Sequence, residues 1–275
     1  MDINKFDWTE GLENKAIFSN DKVLIFKMKK SKYVTQNIPG PGCEMDDFED
    51  KLLGCQCLAC DRDCKCTAQY GNAYKDKKID LTLLGSSVTP VFECNSNCSC
   101  PSQCQNRVVQ HGISVQLQIF NTDNKGLGLQ TLEKIQTGTF VCEYAGEIIS
   151  LQEAQSRCNK QKNTDMNYIL TVKEHCKNGI LKTYVDPNKL GNIGRYINHS
   201  CSPNLSMVPI RVDNMVPKVC LFANRDIEPL EELSFVYGTL RPDQKTGTKC
   251  YCNSNGCTGF MPFDEELKSS FYFLE

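Results

Sequence analysis

The apolar residues of this chain fall mostly in short alternating runs. Val115, Leu117 and Ile119 alternate with Gln116 and Gln118, the period of a strand with one buried face. Phe140 to Ile149 (FVCEYAGEII), Asn167 to Val172 (NYILTV), Thr183 to Val185 (TYV) and Val219 to Ala223 (VCLFA) read as further strands. Pro217 marks where the last of these can begin, because proline cannot donate into a ladder. Lys22 to Met28 (KVLIFKM) predicts one strand near the start, and Glu231 to Gly238 (EELSFVYG) the last, with Phe235 and Tyr237 on one face. Lys125 to Leu129 makes a glycine turn whose simplest reading is a hairpin. Ser150 with Glu153 is a capping-box pattern that opens a helix through about Gln161. Many short strands with little helix predict a β-rich domain with long functional loops.

The first residues add little. Asn37 to Gly42 (NIPGPG) is a turn-rich break in which Pro39 and Pro41 exclude a continuous helix. Met1 to Gly42 is therefore expected to be a loosely held arm, or one packed on a neighbouring surface.

Composition changes the picture at one point. The chain has 275 residues, 18 of them cysteine. Its N-terminus lacks the apolar core of a signal peptide, and no stretch approaches a membrane span. A reducing compartment is the expectation, where clustered cysteines indicate metal more often than disulfides. Cys55, Cys57, Cys60, Cys64 and Cys66 form one array; Cys94, Cys98, Cys100 and Cys104 form a second, after an interval that reads as a polar loop. Nine is odd, so complete disulfide pairing leaves one thiol over. Three tetrahedral zinc ions accommodate all nine thiolates if three of them bridge. Disulfides or unrelated thiols are the competing reading. Few large apolar residues lie in this segment, so metal rather than a core is expected to fold it.

Cys250, Cys252 and Cys257 lack a fourth ligand, which Cys201 can supply; the bland reading is three inert thiols in a tail. Cys43, Cys142, Cys158, Cys176 and Cys220 are isolated and read as packing residues. The formal charge of −2 argues against DNA as the main partner. Thirteen zinc-bound thiolates would take it to about −7, which suits a basic partner such as a lysine-rich peptide.

Gly191 to Asn204 (GNIGRYINHSCSPN) concentrates Asn198, His199 and Cys201 within four positions. Taken alone it reads as a polar loop: an asparagine cap, a satisfied histidine, a small core cysteine. Its companions change that. The nine-cysteine array, then GLG, EYAGE, NYI, VDP, this stretch, ELSFVYG and CYCNSNGC occur in the order of pre-SET, SET and post-SET motifs. The chain resembles a SET-domain protein-lysine methyltransferase from Cys55 to about Phe260.

That resemblance implies a mainly β SET fold with few helices, small sheets around a pseudoknot, flanked by zinc-cysteine pre-SET and post-SET modules. It divides the chain into an arm (1–50), a pre-SET module (51–112), a SET domain (113–240), a post-SET module (246–262) and a tail (263–275). It implies S-adenosylmethionine as methyl donor, approached by the backbone of Gly126, Leu127 and Gly128, held by Tyr168, Asn198 and His199, and covered by Tyr251. Three zinc ions are implied in the pre-SET cluster, and one shared by Cys201, Cys250, Cys252 and Cys257. Tyr237 is implied as the catalytic tyrosine, with Tyr144 and Phe235 lining the lysine channel and Arg195 bracing the knot. Phenylalanine at Phe235, where relatives alternate with tyrosine, implies methylation beyond the first step, with simple packing the alternative. Leu127 and Val236 depart from the tryptophan and aspartate common at those positions. The implied function is histone H3 lysine methylation in the nucleus, on chromatin, with no membrane role and no direct DNA binding. The pre-SET type resembles enzymes acting on lysine nine; resemblance to another subfamily points to lysine thirty-six. That subfamily can carry a transposase afterwards, for which an end at Glu275 leaves no room. The alternatives are a non-histone substrate, a chromatin-binding module with little turnover, and a zinc store.

Overall fold

The computed structural model describes residues 6–19, 31–60, 64–68, 71–84, 90–161, 167–176 and 179–267. The strand expected at Lys22 to Met28 lies outside them. The alternation at Val115 to Ile119 becomes strand β1 (Leu117–Asn121), which pairs antiparallel with β2 (Leu127–Thr131). Gly126, at φ +73°, turns the hairpin in a conformation side chains rarely tolerate. Leu117, Ile119 and Leu129 point into the main apolar core.

Phe140 to Ile149 is not one strand. β3 (Phe140–Glu143) and β4 (Gly146–Ile149) belong to different sheets, and Tyr144 with Ala145 crosses between them. All eight strand residues are buried, so the alternation that marks a one-faced strand is absent. Ser150 caps α1 (Leu151–Lys160) by accepting from the Glu153 N–H at 3.2 Å. The Glu153 carboxylate takes Arg157 at 2.8 Å.

The two short strands expected after the helix are a long hairpin, β5 (Leu170–Cys176) with β6 (Gly179–Gly191). Its far half carries Lys173, Glu174 and Lys182, which hid it from an apolar criterion. β7 (Leu205–Arg211) contains Pro209, which argues against a central strand. It is tolerated because the neighbouring Val91–Phe92 pairs only with Ile210 and Arg211. β8 (Lys218–Ala223) begins directly after Pro217 and lies between β3 and β7. The expected last strand shrinks to Ser234–Phe235, which runs parallel to Asn198–His199.

Two further expectations are corrected. The described parts of the arm are built in: Phe18–Ser19 joins β1, Lys32–Tyr33 joins β6 and Ile38–Pro39 joins β4, each in parallel. Backbone pairing outweighs the turn-forming composition there. The interval between the cysteine arrays is also more than a loop. It contains a hairpin of Tyr74–Lys75 with Lys78–Ile79, and the Val91–Phe92 strand. Tyr74, Ile79 and Val91 pack with Phe140, Ile210 and Phe222 in a second apolar cluster. These few apolar residues suffice because the sheet supplies their partners.

Candidate active site and cysteine clusters

Pairing of Asn198–His199 with Ser234–Phe235 brings the central stretch against the last aromatic residues. Asn198 Nδ2 donates to the Leu127 carbonyl and to Glu232 Oε1, both at 3.0 Å, tying the glycine turn to this stretch. Lys125 pairs with the other Glu232 oxygen at 2.5 Å. Glu232 and Lys125 were not singled out from sequence; the only signal was an acid beside the Phe235–Tyr237 alternation.

The aromatic rings form a chain. The Tyr144 and Phe235 centroids lie 5.9 Å apart, Phe235 and Tyr237 4.9 Å, and Tyr237 and His199 5.5 Å. Tyr144 Oη donates to the Tyr168 carbonyl at 2.5 Å, and Tyr237 Oη to the Ile197 carbonyl at 2.7 Å. Burial pushes both phenols well above their usual range, so both keep their protons. Each phenol proton is therefore committed to a main-chain carbonyl, and each oxygen remains an acceptor. Burial also pulls the His199 imidazole down to about 4. The neutral ring accepts the Tyr237 N–H at Nδ1, 3.3 Å away, and its Nε2 lies 3.4 Å from Cys201 Sγ.

Arg195 stacks over Tyr168 at 4.6 Å and Tyr196 at 5.5 Å, and donates to the Asn188 carbonyl at 3.1 Å. These contacts brace the stretch. Its Nε is buried with no hydrogen-bond partner. Tyr251 is 42% exposed, with Lys249 over its ring at 5.3 Å. The structure thus joins Leu127, Asn198, His199, Tyr237, Phe235, Tyr144 and Tyr168 in one connected constellation, and carries Tyr251 on the cysteine-rich segment beyond it.

The cysteines cluster as spaced. Cys201, Cys250, Cys252 and Cys257 place their sulfurs within 4.8 Å of one another. So do Cys55, Cys57, Cys60 and Cys64, and also Cys60, Cys94, Cys100 and Cys104. Cys55 and Cys94 recur with Cys98 and Cys100 in one further group and with Cys64 and Cys66 in another. Sulfur–sulfur separations are 3.5 Å for Cys60–Cys94, 3.6 Å for Cys66–Cys98, 3.7 Å for Cys55–Cys60 and 4.0 Å for Cys201–Cys250. A disulfide needs about 2.05 Å. A tetrahedral zinc site with Zn–S near 2.3 Å has sulfur edges of about 3.8 Å. The thiol sets therefore fit a metal, and all 18 cysteines are free.

Comparison with known proteins agrees with this geometry. The SET domain family matches residues 126–238 and the Pre-SET motif residues 9–107. The histone-lysine N-methyltransferase SETMAR of Bos taurus is 43% identical over 254 residues, which is 86% of this chain and 83% of that protein. The Homo sapiens SETMAR is also 43% identical, but the chain spans only 37% of its length. The crystal structure of the methyltransferase domain of human SETMAR superposes with a TM-score of 0.82 at 38% identity, over 94% of this chain and 98% of that one. KRYPTONITE, solved with mCHH DNA, an H3(1-15) peptide and SAH, superposes at 0.73 with 26% identity, over 94% of this chain and 54% of that one. No helix among the described residues is long and apolar enough to cross a membrane. The chain belongs to the SET-domain family, in the pre-SET-bearing branch that includes these histone-lysine N-methyltransferases.

Proposed function

We propose that this chain is an S-adenosylmethionine-dependent protein-lysine N-methyltransferase that acts on a lysine of the histone H3 tail, in the nucleus and on chromatin. The observation that carries the reading is the pair of buried phenols, Tyr144 and Tyr237, flanking Phe235 with both protons turned onto main-chain carbonyls. A lysine side chain entering between them meets oxygen acceptors that hold its N–H groups and aim its lone pair. Lysine attacks only as the neutral amine, and its ordinary pKa is about 10.4. A water-poor aromatic channel favours that neutral form.

The bound cofactor supplies an electrophilic methyl group on a sulfonium. Gly126, Leu127, Gly128, Tyr168, Asn198 and His199 are the residues proposed to hold it, with Tyr251 over the adenine. The unpartnered Arg195 Nε suits a carboxylate, which fits an amino-acid cofactor. Tyr237 and Tyr144 align the amine; alignment of this kind supplies a large share of such barriers. Phe235 brings no hydroxyl to restrict the channel, so the enzyme proceeds beyond monomethylation.

Zinc in these thiol sets is structural, since transfer from a sulfonium needs no metal. Three ions account for the nine pre-SET cysteines: one on Cys55, Cys57, Cys60 and Cys64; one on Cys60, Cys94, Cys100 and Cys104; one on Cys55, Cys66, Cys94 and Cys98. Cys55, Cys60 and Cys94 then bridge. A fourth ion on Cys201, Cys250, Cys252 and Cys257 ties the segment carrying Tyr251 to the central stretch. The division into arm, pre-SET, SET, post-SET and tail at the boundaries given above is part of this proposal.

The test incubates zinc-replete protein with labelled S-adenosylmethionine and core histones, beside Tyr237→Phe. Label on one H3 lysine, lost in the variant, is the expected result; mapping by mass spectrometry separates lysine nine from lysine thirty-six. Cofactor-binding protein that labels no core histone contradicts the histone reading.

A further inference from the structure

The chain changes sheets at Tyr144 and Ala145, where β3 ends and β4 has not begun. Main-chain groups at such a crossing fall outside the regular ladders, and buried ones need other partners. The Tyr144 N–H donates to the Val219 carbonyl at 2.7 Å, and two asparagines distant in sequence hold the groups on either side of it. The Ala145 N–H donates to Asn192 Oδ1 at 3.2 Å, and the Glu143 carbonyl accepts from Asn192 Nδ2 at 2.7 Å. The Gly146 N–H donates to Asn37 Oδ1 at 3.1 Å. Asn192 Oδ1 also accepts the Gly194 N–H at 3.0 Å, and Asn37 Nδ2 donates to the Pro217 carbonyl at 3.0 Å. The Asn37 N–H donates to Glu143 Oε1 at 3.3 Å, whose partner oxygen takes Lys218 at 3.1 Å. Both asparagines are buried. Gly194 closes the arrangement: a Cβ there would lie 2.7 Å from the Glu143 carbonyl oxygen and 2.9 Å from Tyr144 Cα.

Each amide both donates and accepts, so each fixes two chain segments at once. Asn192 holds the residues on both sides of Tyr144 to the central stretch. Asn37 holds the next residue to the arm and to the turn before β8. The direction of the Tyr144 ring, and so of its hydroxyl, follows from the main chain fixed between them.

We infer that Asn192 and Asn37 are positioning residues that clamp the Tyr144 crossing and thereby aim the Tyr144 hydroxyl into the lysine channel. This rests on the methyl-transfer reading for its catalytic consequence, but the aim of the hydroxyl is measurable without turnover. A displacement of about 1 Å at a reacting centre costs on the order of a hundredfold in rate.

The test labels the full chain with 3-fluorotyrosine and assigns the Tyr144 fluorine resonance through Tyr144→Phe. Asn192→Ala shifts that resonance, lowers kcat per cofactor-binding site by about tenfold or more, and leaves the cofactor KM within about twofold. In a Tyr144→Phe background the same substitution loses most of its effect on kcat, because the hydroxyl it aimed is gone. Asn37→Ala produces the same signature with a smaller shift, and decides the matter if Asn192→Ala does not fold. A Tyr144 resonance that stays in place in the folded variants overturns the inference. So does an equal loss of kcat with and without the Tyr144 hydroxyl. A shifted resonance in a protein that methylates nothing supports the clamp and contradicts the methyl-transfer reading.

Discussion

Leu129 and Cys94 are both fully buried, but in different surroundings. Leu129 sits among Ile17, Leu117, Ile119, Val141 and Leu233, in a core where removal of apolar area from water supplies the cohesion. Cys94 sits among other cysteine sulfurs, with Asn106 Nδ2 3.5 Å from its sulfur and Arg107 Nη1 on its carbonyl at 3.1 Å. Two leucines of its segment face outward, Leu53 at 94% exposed and Leu58 at 87%. One centre is held by packing. The other packs sulfur on sulfur, and the zinc proposed there would supply its cohesion. Sequence patterning therefore informs about the first through alternation and about the second through cysteine spacing.

The largest effect separating the two centres is expected at Cys94, which the proposed zinc arrangement makes a bridging thiolate. Cys94→Ser releases metal and unfolds the cysteine segment, because each structural site contributes on the order of 10–16 kcal/mol in small peptides. Metal content per chain and protease sensitivity over residues 51–107 check this; unchanged metal content contradicts it.

A smaller effect is expected where the packed side hides a charge pair. Arg211 grips Glu174 with two bonds of 2.8 and 2.9 Å, both side chains at most 5% exposed. Glu174→Leu alone costs about 3–5 kcal/mol, because it strands the guanidinium, whereas Glu174→Leu with Arg211→Met recovers most of that. Denaturant unfolding of both variants measures the difference.

The packing claim itself predicts that Leu129→Ala costs about 2–5 kcal/mol. Leu58→Ala, on the exposed side of the cysteine segment, changes stability by less than about 0.5 kcal/mol. Comparable losses would mean that the residues around the cysteine sulfurs are held by apolar packing after all. Ser150→Ala removes the α1 cap and costs about 1 kcal/mol, read in the same experiment.

The smallest effect concerns the tail, where Asp264 meets Lys173 at 3.1 Å and accepts the Glu266 N–H at 3.1 Å. Burial alone would raise the Asp264 carboxyl, but Lys173 and the Glu266 amide hold it below its ordinary value. Its stabilising contribution is therefore present above about pH 4 and lost as pH falls through the folded-state value. Hydrogen-exchange protection at Glu266 should fall in acid beyond the intrinsic change in exchange rate; unaltered protection contradicts the account.

Much of both centres was legible in the sequence, for different reasons. Val115 to Ile119 alternates because one face meets solvent. Ser150 and Glu153 mark a helix start because local hydrogen bonding decides it. Cys201 was assigned to the last cysteine group because three thiols leave a tetrahedral site one short, and the structure brings it there. The rest failed where partners are remote. The Tyr144 crossing is invisible in FVCEYAGEII because both flanking strands are buried. The role of Asn37 cannot be read locally, since its partners are Glu143, Gly146 and Pro217. Glu232 reads as one of two adjacent acids until Asn198 and Lys125 converge on it.

The most direct test of the central claim is mass spectrometry of an H3 tail incubated with S-adenosylmethionine and the metal-loaded protein. The account predicts one lysine carrying more than one methyl group, and none with Tyr237→Phe. An unmodified tail, from protein that binds the cofactor and retains its metal, would contradict it.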